Sequence, residues 1–169
     1  MKYKTKHIIG AGLLGIAAWL LLRTKKNSTM VTDLTLPRGY RNNNPGNIRI
    51  NSANNWLGKV TPNTDGVFEQ FSSMSYGYRA MMVLIRNYIK QGYITVADII
   101  SKWAPNNENH TDNYINFVCN ATGFIPKNVI DPINKQQMTA LVRAIAQYEN
   151  GKNHTTYEDS ILAAWNLYN

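Results

Sequence analysis

The sequence contains few of the residues that build disulfide-linked or metal-binding proteins. Cys119 is the single cysteine among 169 residues, so no disulfide can form within the chain. It lies in a segment with helical character, where a buried structural thiol is the simplest interpretation. The three histidines, His7, His110 and His154, have no spacing that is typical of a zinc site. We therefore expect neither a metal ion nor another cofactor.

Acidic residues are also scarce, and their distribution decides where the positive charge lies. The chain carries 18 Lys and Arg against 10 Asp and Glu, which gives a formal net charge of +8. Six basic residues and no acidic residue lie in the first 30 positions: Lys2, Lys4, Lys6, Arg23, Lys25 and Lys26. The rest of the chain is nearly neutral, which argues against a basic surface for nucleic acid. We expect no nucleic-acid partner, and a membrane-anchored nucleic-acid binder is the least favoured function.

These basic residues flank an uncharged apolar run at positions 8–22. As a helix this run would be about 22 Å long, against a hydrocarbon core of about 30 Å, and the flanking lysines could reach the headgroups. No small-residue cleavage site follows it, so an uncleaved membrane segment, or signal anchor, is favoured over a secretory signal peptide. The run resembles the signal-arrest-release segments of some phage lysis enzymes. We assign 1–29 to this membrane helix and its tether, and 30–169 to a folded domain.

The folded domain opens with an amide-rich turn, defined as residues 41–49. Three asparagines precede a Pro-Gly dipeptide, which marks a tight turn. Residues 47–50 then alternate in polarity, and residues 67–71 have the composition of a second strand, so we predict a small β-hairpin. Side-chain amides bond to hydroxyl and acetamido groups, and an indole stacks on a sugar ring, so this surface suits a polymer of sugars. The candidate substrate ligands here are Asn44, Asn47 and Trp56.

Beyond the hairpin the sequence predicts five helices. The expected ranges are 72–91, 96–103, 112–120, 134–148 and 157–168. A methionine-rich stripe in the first of these has helical spacing and is best explained as core. The expected caps are Ser72 or Ser73, Thr95, Thr111, and Thr155 or Thr156 at helix starts, with Gly92, Gly123 and Gly151 at helix ends. The predicted fold class is mainly α (α+β), with one small hairpin.

Several separated motifs are similar to a phage family of virion structural or murein-degrading proteins. The family's opening motif corresponds to Arg41-Asn-Asn-Asn-Pro-Gly-Asn-Ile-Arg49. Further similar segments are Trp56-Leu-Gly58, Phe68-Glu-Gln-Phe71, Gly77, Trp103-Ala-Pro105, Glu108-Asn-His-Thr111 with Tyr114, and Glu149-Asn-Gly151. The resemblance extends from about position 38 to position 151 and implies a phage protein.

A second resemblance concerns the lysozyme-like fold of bacterial glucosaminidases and lytic transglycosylases. In those enzymes a helix that ends in a catalytic Glu precedes a hairpin, and later helices bear a Tyr near the cleft. Here the helix end at Glu149 is similar to the first element, and the segment from Glu108 to Tyr114 is similar to a Glu-Thr-x-x-Tyr motif. No Glu precedes the hairpin in this chain. The motif order therefore implies a circularly permuted lysozyme-like domain, in which the helix that ends at Glu149 docks against the hairpin.

Cleavage of a β-1,4 bond in peptidoglycan requires an acid that protonates the leaving oxygen, and hydrolysis usually uses a second carboxylate. Glu149 is the first candidate for the acid and Glu108 is the second. Alternatively, Glu149 is an exposed residue of a last helical turn, and Glu108 bonds to N–H groups of the helix after it. Asp65 and Glu69 are candidates for the second carboxylate, although Asp65 fits a turn and Glu69 fits the solvent face of a strand. Tyr114 is a further candidate substrate ligand.

The function expected from these features is a phage-type murein glycosidase, of the lytic transglycosylase or lysozyme type. It would act on the bacterial cell wall when the phage enters or lyses the cell. The alternative is a membrane-anchored virion protein that has a structural or peptidoglycan-binding role without turnover. In both cases the expected partners are peptidoglycan glycan strands and, through residues 8–22, a lipid membrane, with the globular domain facing the periplasm and cell wall.

Overall fold

A computed structural model describes residues 33–105, 110–151 and 157–169. These ranges contain six helices: α1 Arg38–Arg41, α2 Met74–Lys90, α3 Val96–Trp103, α4 Thr111–Thr122, α5 Lys135–Asn150 and α6 Glu158–Tyr168. The mainly helical class is confirmed, and the five longer helices lie close to their predicted ranges. The short helix α1 was not predicted. The predicted membrane segment lies outside the described residues, and no helix within them is long and apolar enough to cross a bilayer.

The predicted hairpin strands do not form in the described part of the chain, where β pairing consists of isolated antiparallel bridges. One bridge joins Arg49 to Phe68, and it is flanked by a 2.9 Å hydrogen bond from the Ile50 N–H to the Val67 carbonyl. The pairing cannot extend backwards, because Asn47 has a φ of 47°, which turns the chain away from an extended path. The segment that was predicted as a hairpin is therefore a pair of loops joined at an isolated antiparallel bridge.

The core is built around α2, which packs against α3, α5 and α6. The methionine stripe predicted as core is buried, since Met81, Met82 and Ile85 are 0% exposed. Complete burial of such side chains stabilises the fold by about 1.5 to 3 kcal/mol each. α5 in turn packs against α4 and α6, so its inward face closes the core.

Cap residues predicted from the sequence are correct at some helix ends and wrong at others. Thr95 caps α3 as predicted, because its hydroxyl accepts from the Asp98 N–H at 3.2 Å and the Asp98 carboxylate accepts from the Thr95 N–H at 3.1 Å. The predicted Thr111 cap is wrong, because Thr111 is the first residue of α4 and its hydroxyl donates to the Ala104 carbonyl at 2.7 Å. That hydrogen bond ties the start of α4 to the end of α3.

Four other predicted caps can be compared with the described residues one by one. Ser73 holds the N-cap position of α2 without a side-chain cap hydrogen bond. Gly123 ends α4 as predicted and adopts the left-handed conformation, whereas Gly151, with a φ of 91° and a ψ of 145°, ends α5 outside the left-handed helical region. The predicted cap at Thr155 or Thr156 lies outside the described residues.

Candidate functional site

A cleft of about 490 Å³ lies where the amide-rich turn meets α2, the end of α3 and the end of α5. Its lining consists of four aromatic residues (Trp56, Phe68, Tyr88, Trp103), three amides (Asn47, Asn51, Asn54), Arg49, Glu149, and the apolar or small residues Gly46, Ile48, Ile50 and Leu84. Aromatic faces beside a few polar groups are typical of a site for a small molecule or a sugar.

The last turn of α5 brings Glu149 to the wall of this cleft. The neighbouring Asn150 is buried, and its side-chain amide donates to the Pro45 carbonyl at 2.7 Å and to the Ala146 carbonyl at 2.9 Å. Because Pro45 belongs to the amide-rich turn, these hydrogen bonds fasten the end of α5 to that turn. The helix therefore docks against the loops that replace the predicted hairpin.

The Glu149 carboxylate is half-buried and accepts hydrogen bonds at both oxygens. The Tyr114 hydroxyl donates to Oε1 at 3.0 Å, and the Asn47 side-chain amide donates to Oε2 at 3.0 Å. These three residues come from α4, the amide-rich turn and α5, and all three were selected from the sequence as candidate site residues. The structure brings them together at one point of the cleft wall.

Tyr114 is held by burial and by ring stacking. Its side chain is 0% exposed, and its ring stacks on Tyr148 with a centroid distance of 3.7 Å and an interplanar angle of 17°. Burial, and then the nearby Glu149 charge, raise the pKa of the Tyr114 hydroxyl well above its ordinary value. The hydroxyl therefore stays protonated and remains a hydrogen-bond donor to Glu149.

Asn47 reaches Glu149 because its backbone adopts the left-handed conformation, which asparagine tolerates better than most residues. The turn lies directly on Gly39 of α1. A Cβ atom at Gly39 would lie 2.8 Å from the Asn47 Oδ1 and 2.9 Å from the Asn44 carbonyl oxygen, and both distances are shorter than carbon–oxygen van der Waals contacts allow. The close approach of α1 to the turn thus depends on glycine at this position.

Trp56, a candidate sugar ligand for which core packing was equally favoured, lines the cleft, but only 9% of the residue is exposed. Its indole nitrogen is buried and has no hydrogen-bond partner among the described residues. Trp56 therefore serves the core and the cleft wall together, and only a small part of the indole is open to a ligand.

Asn44 does not line the cleft. It is 0% exposed, and its side-chain amide donates to the carbonyls of Ile48 and Glu69, both at 2.9 Å, while its Oδ1 accepts from the Ile48 N–H at 2.9 Å. Every polar atom of this side chain is thus used inside the protein. The structure assigns Asn44 to the shape of the turn, in place of the predicted contact with substrate.

Asp65 also lies away from the cleft lining. Its carboxylate accepts two 2.7 Å hydrogen bonds from the Arg38 guanidinium and one of 2.7 Å from the Asn42 amide. Burial acts to raise the pKa of Asp65, but hydrogen bonds from Arg38, Asn42 and the Phe68 N–H outweigh it and hold that pKa well below its usual value. Asp65 therefore ties α1 to the loop, and the structure gives it no place as a second carboxylate in the cleft.

Glu69 is buried, which corrects the expectation that it lies on a solvent face. Its side chain is 0% exposed and forms an ion pair with Lys59, with a distance of 3.0 Å between Oε1 and Nζ. It does not line the cleft. Glu108 lies outside the described residues, so its role as the alternative acid stays a prediction.

Most of the lining residues were not candidates from the sequence, and Arg49, Tyr88 and Trp103 are the largest polar or aromatic side chains among those adjacent to or beyond the amide-rich turn. Tyr88 follows Leu84 by four positions on α2, so helical spacing could have placed both on one face beside the buried stripe. Trp103 offers no comparable signal. Its ring comes close enough to the amide-rich turn that a Cβ atom at Gly46 would lie 2.7 Å from the Trp103 Cζ2 atom.

The arrangement can hold a polar ring between aromatic surfaces, with side-chain amides and one carboxylate within reach. Glu149 is the single carboxylate among the described lining residues. Within the described ranges, no group of three or more His, Cys, Asp and Glu side chains could hold a metal ion.

Comparison with known proteins places the chain among phage proteins. No protein-family model matches it. Over 125 residues it is 42% identical to "Protein P5" of Pseudoalteromonas phage PM2, and the match covers 72% of this chain and 76% of that protein. Identity at this level over most of both chains shows common descent. The chain therefore belongs to the same phage protein family as Protein P5 of phage PM2.

Proposed function

We propose that this protein cleaves the glycan strands of bacterial peptidoglycan, with Glu149 as the general acid. The observation that carries the proposal is a half-buried carboxylate in the wall of a cleft lined by four aromatic residues and three side-chain amides. Aromatic rings pack on sugar faces, and amides bond to hydroxyl and acetamido groups. A carboxyl group in such a site is in a position to protonate a glycosidic oxygen.

A single carboxylate among the described lining residues favours transglycosylation over hydrolysis. Hydrolysis with two carboxyl groups places them about 5 to 9.5 Å apart across the scissile bond, and Glu149 has no such partner among the described lining residues. In a single-acid mechanism Glu149 protonates the leaving oxygen as the C1–O bond breaks. The 6-hydroxyl of the same sugar then bonds to C1, and its proton returns to Glu149. The product is a 1,6-anhydro sugar, as in a lytic transglycosylase.

The docking of α5 against the amide-rich turn supports the same proposal. Fastening of α5 to the amide-rich turn is the contact that a permuted lysozyme-like domain requires. Membership of a phage protein family is compatible with an enzyme that acts on the cell wall when the phage enters or lyses the cell. In this proposal residues 8–22 anchor the protein in a membrane, and the folded domain faces the periplasm and the cell wall.

A second candidate function is a virion structural or peptidoglycan-binding protein that does not cleave its ligand. The observation that favours it is that both oxygens of Glu149 already accept hydrogen bonds from Asn47 and Tyr114. In a protein without catalytic activity, the same two hydrogen bonds would hold α5 against the amide-rich turn. The two functions share the cleft and differ in turnover.

The deciding experiment is digestion of purified peptidoglycan by the full chain in detergent, with the products identified by mass spectrometry. Glu149→Gln keeps the size and the hydrogen-bond acceptor of the side chain but removes the acid. Asp112→Asn is the matched control, since Asp112 is an exposed acidic residue of α4. Glu108→Gln tests the alternative acid.

Anhydro-muropeptides that disappear in Glu149→Gln and persist in Asp112→Asn are the expected result. Products with reducing ends would indicate hydrolysis instead of transglycosylation. Loss of product in Glu108→Gln alone would move the acid to residue 108 and overturn the role of Glu149. Binding to peptidoglycan without any product from the folded wild-type chain would establish the second candidate function.

A further inference from the structure

Two arginines contact the same aromatic ring at the edge of the cleft, and only one of them is charge-paired. The guanidinium carbons of Arg38 and Arg49 lie 4.8 Å and 5.6 Å from the centroid of the Phe68 ring. Arg38 is neutralised by Asp65, with a distance of 2.7 Å between Nε and Oδ2. Arg49 is exposed, and its guanidinium has no ion pair or hydrogen bond with any described residue.

The position of Arg49 is set by its surroundings. The antiparallel bridge to Phe68 holds its backbone, and the ring contact restrains its side chain at the cleft. Arg49 is the single cation among the described lining residues, just as Glu149 is the single anion. A neutral sugar could be bound by the amides and aromatic rings alone, so an unpaired cation in the lining points to an anionic group on the ligand.

We propose that Arg49 binds a carboxylate of the peptide stems that peptidoglycan strands carry. A guanidinium suits this role, because its planar N–H groups can donate two parallel hydrogen bonds to one carboxylate. The cleft would thereby distinguish strands that carry peptide stems from neutral β-1,4-linked N-acetylglucosamine chains. This inference rests on the proposed function, since it assumes that the cleft holds a peptidoglycan strand.

The contrast with Arg38 shows why the two stacked arginines have different roles. Asp65 engages the Arg38 guanidinium through both carboxylate oxygens and leaves it little capacity to bind a ligand anion. No described carboxylate reaches Arg49, although Glu149 lines the same cleft. A ligand anion that bound Arg38 would first have to displace Asp65. A ligand anion that binds Arg49 has no described carboxylate to displace.

The test is isothermal titration calorimetry of the full chain in detergent with three soluble probes. Every titrated protein also carries Glu149→Gln so that no probe is cleaved, and the wild type of the titrations is the chain with Arg49 on this background. These are a stem-bearing muropeptide tetrasaccharide, the same compound with its carboxylates converted to amides, and chitotetraose. The variants are Arg49→Gln, which removes the charge, and Arg49→Lys, which keeps the charge but loses the planar pair of donors. Lys127→Gln is the control, because Lys127 is exposed and outside the cleft lining.

We expect Arg49→Gln to bind the muropeptide about tenfold more weakly than the wild type, as loss of a charge-assisted hydrogen bond predicts. Arg49→Lys should fall between the two, and Lys127→Gln should match the wild type. The amidated muropeptide should bind the wild type as weakly as the native muropeptide binds Arg49→Gln. Binding of chitotetraose should be the same in all variants.

Two results would overturn the assignment of Arg49. One is equal binding of the muropeptide by Arg49→Gln and the wild type, and the other is an equal loss of muropeptide and chitotetraose binding. If the unsubstituted chain still digests peptidoglycan in either case, the proposed function stands and only the role of Arg49 fails. If the folded unsubstituted chain neither binds nor digests peptidoglycan, both proposals fail together.

Discussion

The Tyr114 hydroxyl donates a 3.0 Å hydrogen bond to Oε1 of Glu149, although the two residues are 35 positions apart. Tyr114 belongs to α4 and Glu149 to the last turn of α5, so this bond depends on the packing of the two helices. The stack of Tyr114 on Tyr148 restrains the ring that carries the hydroxyl. The position of the proposed acid is therefore set from a neighbouring helix.

Tyr114→Phe should reduce peptidoglycan digestion by at least tenfold, mainly in kcat, because the carboxyl loses one of the two groups that position it. The fold should persist, since the buried ring remains, with a loss of about 1.5 kcal/mol in the free energy of unfolding. Steady-state kinetics and urea unfolding measure both effects. Tyr148→Phe is the matched control, because it keeps the ring stack and removes a hydroxyl with no described hydrogen-bond partner. Equal activity in the two variants would contradict a positioning role for Tyr114.

Substitutions at Asn47 should separate backbone strain from the loss of its amide. Asn47→Gly and Asn47→Ala both remove the hydrogen bond to Glu149, but only glycine adopts a φ of 47° without a steric cost. We expect Asn47→Ala to be less stable than Asn47→Gly by about 1 kcal/mol. Urea unfolding of both variants tests this, and an alanine variant as stable as the glycine variant would show that the turn relaxes.

The buried ion pair of Lys59 and Glu69 should respond asymmetrically to substitution. Lys59→Met leaves a fully buried carboxylate without its cation and should cost about 3 kcal/mol of unfolding free energy. This value is at the lower end of the cost of removing one partner of a buried ion pair, because 23% of the Lys59 side chain is exposed and water already weakens the pair. Glu69→Gln should reduce the unfolding free energy by less, because it removes the buried charge itself. The double variant Lys59→Met with Glu69→Gln should therefore be more stable than Lys59→Met alone. Chemical denaturation of the three variants would refute this prediction if Glu69→Gln proved the more damaging single change.

Asp65 should make part of the stability of the protein depend on pH. Its pKa in the folded state is below the unfolded value of about 3.9, so folding favours the ionised form. This contribution is fully present above the unfolded pKa and is lost as the pH falls toward the folded pKa. The stability difference between wild type and Asp65→Asn should therefore shrink between about pH 5 and pH 3. Urea unfolding across that range measures it, and a difference independent of pH would contradict the ion pair with Arg38.

Much of the helical framework could be predicted because its signals are local. α3 was predicted at 96–103, and the structure has the same bounds, because the Thr95 capping box lies within one turn of the chain. The buried stripe of α2 could be read from spacing alone, since every member lies on one helix. The hairpin prediction was wrong because alternation of polar and apolar residues does not report the conformation of Asn47. The residues alternate as strands do, but Asn47 is left-handed and its side chain bonds to Glu149, 102 positions away in the chain.

The sequence by itself determined the class of the fold, the buried face of α2 and the order of the motifs that contain Asn47, Tyr114 and Glu149. Only the tertiary structure decided that these three side chains meet, because the contact between Asn47 and Glu149 spans 102 positions and requires α5 to dock on the amide-rich turn. It also decided which charged residues are engaged inside the protein. Asp65 and Glu69 have cationic partners, whereas Arg49 is left open to the cleft. Charge pairing depends on distances of a few ångströms between residues far apart in the chain, and such distances arise only when the helices pack.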